Sequence, residues 1–423
     1  MNDVDAVVLG AGPAGLGAAL ALSREGASVL VADPARVVGG LCVTHRRDGF
    51  AYDVGGHIPF VRDPARMAWL EDLMDGALHR VDRPVSCVRD GRVVRGRYLD
   101  QRPGVIGDAV ARDETAYGEL GARFGASFTD RVMRPYLEKV DGLPLERIPG
   151  ERARRLLEDQ AAPDGFVFPV GGIGRLMDAM AAAATAAGAR VKTGTAADEI
   201  EVPDGRFAAV RLAGATGPVR VEAPDAVVAM PAGAAARLLS PAPPGATTRG
   251  FRMRAVAIVY LVLDRERLTE EPWIQVDDPA VPFARMFEPV NWSPGVAPPG
   301  RTVVGLECYC SATVDDPVWS LGDPDLAAAC ARALADPLGL LDDPAAATLL
   351  EVLRIPRAYP LADLGQMAAV RAPALWLAEL GGIHLAPGSA VIEAIEGGER
   401  AAAAVLEGRP GPGVTADGVP PIA

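Results

Sequence analysis

The chain has 423 residues, 49% of them hydrophobic and 23% charged, the composition of a globular protein long enough for two domains with substantial cores. Its net charge of −13 argues against nucleic acid or an anionic membrane as the main partner, because both bind through clustered Lys and Arg. No run of about 18 uninterrupted apolar residues is present, so no transmembrane helix is expected.

Residues 4–33 are the most informative stretch. An apolar run at 4–9 stops at Gly10-Ala11-Gly12-Pro13-Ala14-Gly15, a helical pattern continues to Arg24, and a second apolar run at 28–32 ends in Asp33. That is strand, glycine turn, helix, strand, acid. Gly10 permits the tight turn, Gly12 lets backbone N–H groups approach a pyrophosphate at the positive helix end that Pro13 and Ala14 open, and Gly15 lets helix and strand pack closely. Asp33, eighteen residues after Gly15, is placed to accept hydrogen bonds from an adenosine ribose. The stretch therefore reads as a dinucleotide site. Arg36 raises the alternative of a 2′-phosphate, as in NADP enzymes.

The next residues bear on which dinucleotide it is. After Asp33-Pro34 come Gly39-Gly40-Leu41, then GFAYDVGGHIPF at 49–60, with a second glycine pair at Gly55-Gly56 followed by His57. This pattern resembles the FAD-binding half of the flavin amine oxidase and protoporphyrinogen oxidase superfamily, with features similar to UDP-galactopyranose-mutase-like proteins. The resemblance implies an α/β fold, a Rossmann-like FAD-binding domain carrying an inserted α+β substrate domain. FAD is the implied cofactor, with Pro34, Gly39, Gly40, Leu41, Gly55, Gly56 and His57 running along it. Arg36 is then a surface residue near the phosphates.

Further segments extend the likeness. FPVGGIGRLMDAM at 168–180 is similar to the family's Pro-x-Gly-Gly turn feeding a helix, a hairpin pattern surrounds Asp204-Gly205, and 223–239 reads as a strand ending near Pro231. RIPRAYPLADLGQ at 354–366 is similar to a segment of the protoporphyrinogen-oxidase-like and mutase-like proteins. Residues 374–406 read as strand, glycine loop, helix, which in the family brings a helix N-terminus, here Ala390-Val391, to the flavin pyrimidine ring. Two departures stand out: the last strand ends Ala378-Glu379-Leu380 where relatives have Gly-Asp or Gly-Arg at the ribityl chain, and Lys139-Val140-Asp141-Gly142 lacks the tryptophan of the mutase element.

Subtracting the FAD segments gives a discontinuous FAD-binding domain at 1–80, 165–245 and 365–410. The substrate domain is then 81–164 and 246–364, with helical patterns at 111–124 and 128–140 and a strand pattern at 251–264. Proline and glycine clusters at 241–245 and 294–300 mark loops, and 411–423 reads as a disordered tail. VGGIGRL lacks the full glycine motif, so a dedicated NAD(P)H domain is not expected.

The catalytic candidates are His57, which the resemblance sets at the flavin ring, His384 in the glycine loop, and Tyr309 and Tyr359 toward substrate. Imidazole titrates near neutral pH, which suits His57 to proton transfer. Arg285 and Glu288 form a polar pocket or, more simply, a solvated hairpin; Arg134 and Arg175 are weaker candidates for an anionic substrate. The only lysines are Lys139 and Lys192, so the lysine that many amine oxidases of the superfamily place near flavin N5 from the second half of the chain is missing.

Three function classes follow. The first is an FAD-dependent oxidoreductase passing hydride from an amine, alcohol or C–C substrate to flavin N5. The alternatives are a redox-neutral sugar-nucleotide mutase working through a flavin N5 adduct, and a binding protein without redox turnover. The N-terminus MNDVDAVVLG has no basic leader region, and the five cysteines, at 42, 87, 308, 310 and 330, lack metal-ligand spacing. The expectation is a cytoplasmic enzyme of small-molecule substrates, without metal, whose thiols, including the Cys308-x-Cys310 pair on one strand face, sit in the core. Oligomeric state is left open.

Overall fold

The computed structural model describes residues 4–408 apart from 83–84, 90, 97, 99–107, 160–164, 216, 243–251 and 362. The tail expected at 411–423 and part of the 241–245 cluster lie outside the described residues.

Short strands, the central ones apolar and buried, form a five-stranded parallel sheet closed at one edge by the exposed Arg190–Lys192 strand. Its order is Ile383–Leu385, Asp225–Val228, Ala6–Leu9, Val29–Ala32, Arg190–Lys192. The order reverses beside Ala6–Leu9, which makes the carboxyl end of that strand the switch point where an open sheet binds its ligand. Helix Pro13–Arg24 springs from this end and packs against the last helix, Val391–Leu406. The approach is close: a Cβ on Gly398 would fall 1.9 Å from the Ala14 carbonyl oxygen. Asp204 turns the hairpin between Ala196–Glu201 and Ala209–Gly214 with φ of 53°.

One element differs from the sequence reading. Residues 374–378 belong to a helix, Met367–Ala378, with Glu379 at its C-cap, and the final strand is Ile383–Leu385, beyond Gly381-Gly382. A short, wholly apolar run cannot distinguish strand from buried helix by periodicity. The departure read at Ala378-Glu379-Leu380 therefore falls on a helix end. The 128–140 pattern likewise splits into a π-helical turn, Thr129–Met133, and helix Arg134–Asp141.

The second large sheet has seven strands, in the order Ala347–Pro360, Met253–Leu263, Thr302–Cys310, Arg285–Phe287, Trp273–Gln275, Ser86–Arg89, Arg92–Arg95. Alternation gives Thr302–Cys310 two distinct faces. Val304, Leu306 and Cys308 pack under helix Asp323–Ala335, where Cys308 Sγ lies 3.8 Å from Cys330 Sγ. All five cysteines are free and buried. The opposite face, with Val303 and Tyr309, joins a core shared with Leu16, Tyr52, Ile58 and Val391 from the nucleotide side. Both sheets thus close on one apolar interior. Glu307 alternates onto that face and is the one charged residue in the strand.

Candidate active site

The glycine turn is built for a ligand. Gly10, at φ of 115°, lies against the Ala229 carbonyl, and a Cβ on Gly15 would fall 1.8 Å from the Gly10 oxygen, so both are packing glycines. Gly12 differs: a Cβ there meets nothing closer than 3.8 Å, the nearest atom being the Gly40 α-carbon. Gly39 donates its N–H to the Ala11 oxygen at 2.7 Å, which sets the Gly39-Gly40 pair beside the turn. Neither Gly12 nor Ala390 offers a side chain to cap its helix, so two helix N-termini keep N–H groups for a bound anion. Asp33 takes Ala11 N–H at 2.7 Å on one carboxylate oxygen and Ala35 N–H at 2.7 Å on the other, with lone pairs to spare for a hydroxyl. Pro34 follows it in the loop, and Leu41 and Arg36 are exposed. These residues fit the adenosine and pyrophosphate of a dinucleotide.

From this cradle the chain runs through Asp53 to the 55–57 loop. Asp53 is buried and accepts the Thr44 hydroxyl and the N–H of Ile173, in the turn read as Pro-x-Gly-Gly. Burial raises its carboxyl to about 6, against the pull of those two bonds. Gly55 takes φ of 79°, and a Cβ there would come 3.1 Å from Glu307 Oε1. Gly56 donates its N–H to the same oxygen at 3.0 Å. The Nδ1 of His57 and the Nε1 of Trp273 are buried without hydrogen-bond partners among the described residues. Burial holds the His57 imidazole below its ordinary range, opposed by nearby Glu307.

Beyond the loop lies a cationic, aromatic cluster of buried side chains. The Arg285 guanidinium sits 5.0 Å above the Trp273 ring and 5.3 Å from that of Tyr309, donates to Tyr136 Oη at 3.0 Å, and lies 3.5 Å from Glu307 Oε2. Burial disfavours its charge, but Tyr136, Tyr309 and Glu307 outweigh that and keep it protonated. Tyr309 donates to Glu307 Oε2 at 2.8 Å and stacks with Tyr359, ring centroids 6.2 Å apart. Burial raises both phenols, so they remain neutral donors. Arg152, paired with Asp141 at 3.1 Å, adds a second cation.

The structure therefore gathers His57, Tyr309 and Tyr359, and adds Arg285, which is not in a solvated hairpin. Glu288 goes elsewhere: fully buried, it accepts the N–H groups of Leu268 and Thr269 and the Thr302 hydroxyl. His384 is on a strand, and its Nε2 bonds Asp225 Oδ1 at 2.8 Å, toward the amino end of the neighbouring strand and away from the glycine turn. Arg134 is engaged by Asp130, Glu138 and Glu146, and Arg175 is exposed. Glu307, Trp273, Tyr136 and Arg152 were not foreseen. A lone acid in the apolar run TVVGLECYC was the available signal for Glu307.

A parallel sheet with a glycine turn at its switch point, facing a second sheet across a cluster of buried polar groups, defines a nucleotide-cofactor-binding fold. The chain belongs to the flavin containing amine oxidoreductase family, whose model matches residues 113–406, and an NAD(P)-binding Rossmann-like domain model matches 8–73. Its cofactor is FAD. Among solved structures it is similar to reduced UDP-galactopyranose mutase, at 20% identity over 96% of both chains with a TM-score of 0.74. A putative protoporphyrinogen oxidase from Exiguobacterium sp. 255-15 aligns at 17% identity over 95% of this chain and 98% of that one, TM-score 0.70. Putrescine oxidase bound to putrescine aligns at 18% identity over 96% and 99%, TM-score 0.66. The all-trans-retinol 13,14-reductase of Danio rerio is 46% identical over 56 residues, 13% of this chain and only 9% of that protein. Among the described residues no helix is long and apolar enough to cross a membrane.

Proposed function

We propose that this chain is an FAD-dependent oxidoreductase that removes hydride from a small-molecule substrate, at a carbon beside an amine or alcohol or at a saturated C–C bond. The observation that carries this reading is the 55–57 loop, which continues from the nucleotide cradle and is hydrogen-bonded through Gly56 to Glu307 of the buried cluster. When bound, FAD supplies the two-electron acceptor, at N5. The likeness to the retinol reductase covers 13% of this chain and carries no argument about substrate.

The chain's own groups do the rest. His57 is neutral near pH 7, and its unpartnered Nδ1 is free to hold or pass a proton at the substrate. Arg285 stays charged and, with the Tyr309 and Tyr359 rings, orients a polar substrate group while excluding water. Gly12 and Asp33 hold the adenosine end, on the turn that Gly10 and Gly15 shape by packing, with Ala390 and Val391 presenting the last helix to the opposite end of the cofactor. His384, tied to Asp225, is left out of the mechanism.

The test is anaerobic mixing of the purified flavoprotein with panels of amines, alcohols and saturated substrates. Loss of the oxidised flavin absorbance with substrate alone supports the reading. Turnover of a sugar nucleotide only after chemical pre-reduction, without net electron consumption, would replace it with the mutase alternative.

A further inference from the structure

Glu307 has 3% of its surface exposed and sits at the middle of the face that meets the nucleotide side. Its Oε1 takes the Gly56 N–H at 3.0 Å, and its Oε2 takes the Tyr309 hydroxyl at 2.8 Å. Arg285 Nη1, at 3.5 Å from Oε2, is beyond hydrogen-bonding distance, so the negative charge is only partly offset. Around it are Ile258, Tyr260 and Trp292. A buried carboxylate in such company is expensive to desolvate. A glutamine would keep an oxygen to accept the Gly56 N–H, and its amide nitrogen would donate to the Tyr309 hydroxyl, without that expense. What distinguishes the glutamate is its charge.

We propose that Glu307 is a positioning residue with two effects: it pins the 55–57 loop to the substrate sheet, and it supplies a fixed negative charge that opposes reduction of the FAD lined by that loop. The proposal rests on the FAD reading above. A charge in a low-dielectric interior acts strongly over several ångströms, and addition of electrons to a cofactor beside a carboxylate is disfavoured by simple repulsion. Arg285 moderates this field and Tyr309 fixes the oxygen that carries it. The protein thereby holds its FAD oxidised against weak electron donors.

Two substitutions separate the effects. Glu307→Gln keeps the acceptor for Gly56 but loses the charge. At a fixed ratio of redox dye, its reduced-to-oxidised flavin ratio is expected to rise about tenfold over wild type, the change from roughly 1.4 kcal/mol of lost repulsion, with unchanged exchange in the peptide spanning 54–58. Glu307→Ala loses the acceptor as well, and amide hydrogen exchange in 54–58 is expected to quicken by about tenfold or more, as for a lost buried hydrogen bond. A wild-type flavin ratio in Glu307→Gln overturns the electrostatic half; wild-type exchange in Glu307→Ala overturns the pinning half. Exchange needs no flavin, so it decides the pinning half even for a variant that loses FAD. Wild-type protein devoid of FAD would instead sink the cofactor reading on which the proposal stands.

Discussion

Asp33 accepts the backbone N–H of Ala11 at 2.7 Å, joining the end of the second strand to the glycine turn that follows the first, 22 residues earlier. Its other oxygen holds Ala35 N–H at the same distance. The acid therefore shapes the turn even before any ribose reaches it. Asp33→Ala strands these donors, and an unpaired buried group costs about 1–3 kcal/mol. We expect the variant to fold with a lower melting temperature and to bind FAD more weakly by about 1–3 kcal/mol in a titration of apoprotein. An unchanged affinity would remove Asp33 from the cofactor site.

The glycines of the turn separate folding from binding. A side chain at Gly12 faces open space toward Gly40, whereas one at Gly15 runs into the Gly10 carbonyl. Gly12→Val is expected to give a folded, colourless protein, because its isopropyl group occupies the phosphate approach. Gly15→Val is expected to be insoluble or strongly destabilised. Circular dichroism with flavin absorbance reads both outcomes, and a fully loaded yellow Gly12→Val would show that the phosphate lies elsewhere.

The nucleotide half was legible because its signals are local. A glycine turn, an acid at a strand end and glycine pairs at short spacing each name a backbone geometry, and they fall where 4–33 and 39–57 required. The buried cluster was less legible, because it is assembled by strand register between distant segments. Glu307 opposes Ile258 across one ladder and Arg285 across the other, and no sequence spacing carries that information. Arg285 and Glu288 are three residues apart in one motif yet serve different sites. His384 misled for a related reason: the run before it was read as the last strand, so the true strand, Ile383–Leu385, was taken for a loop.

Asp53 makes stability depend on pH in an unusual direction. Its carboxyl is raised from 3.8 to about 6 by burial, so between these values the native state binds more protons than the unfolded chain. Stability from this group is therefore greatest below about pH 4 and falls as pH rises to about 6, by about 3 kcal/mol for a two-unit shift. Asp53→Asn keeps an oxygen for Thr44 and Ile173 and should abolish that slope. Urea unfolding of apoprotein at several pH values between 4 and 6.5 measures it; equal slopes in wild type and variant would mean that Asp53 is ionised throughout.

His57 has the opposite pH signature and the most direct link to chemistry. Burial lowers its imidazole from 6.5, so below that pH the unfolded chain takes up a proton that the native state resists, and stability is lost on acidification. The same burial keeps the ring neutral at working pH, with Nδ1 unpartnered and Glu307 near enough to favour a proton arriving there. A ring so placed serves the reaction more than the fold. His57→Ala should retain FAD, lose the acid-side destabilisation, and slow reduction of the flavin by substrate roughly 10-fold or more, the usual share of a positioned acid or base. Stopped-flow absorbance during anaerobic reduction, with the pre-reduced enzyme assayed in parallel, supplies the measurement. Wild-type rates in both assays would return His57 to the role of a packed loop residue and leave Arg285 and the two tyrosines as the remaining candidates over the flavin.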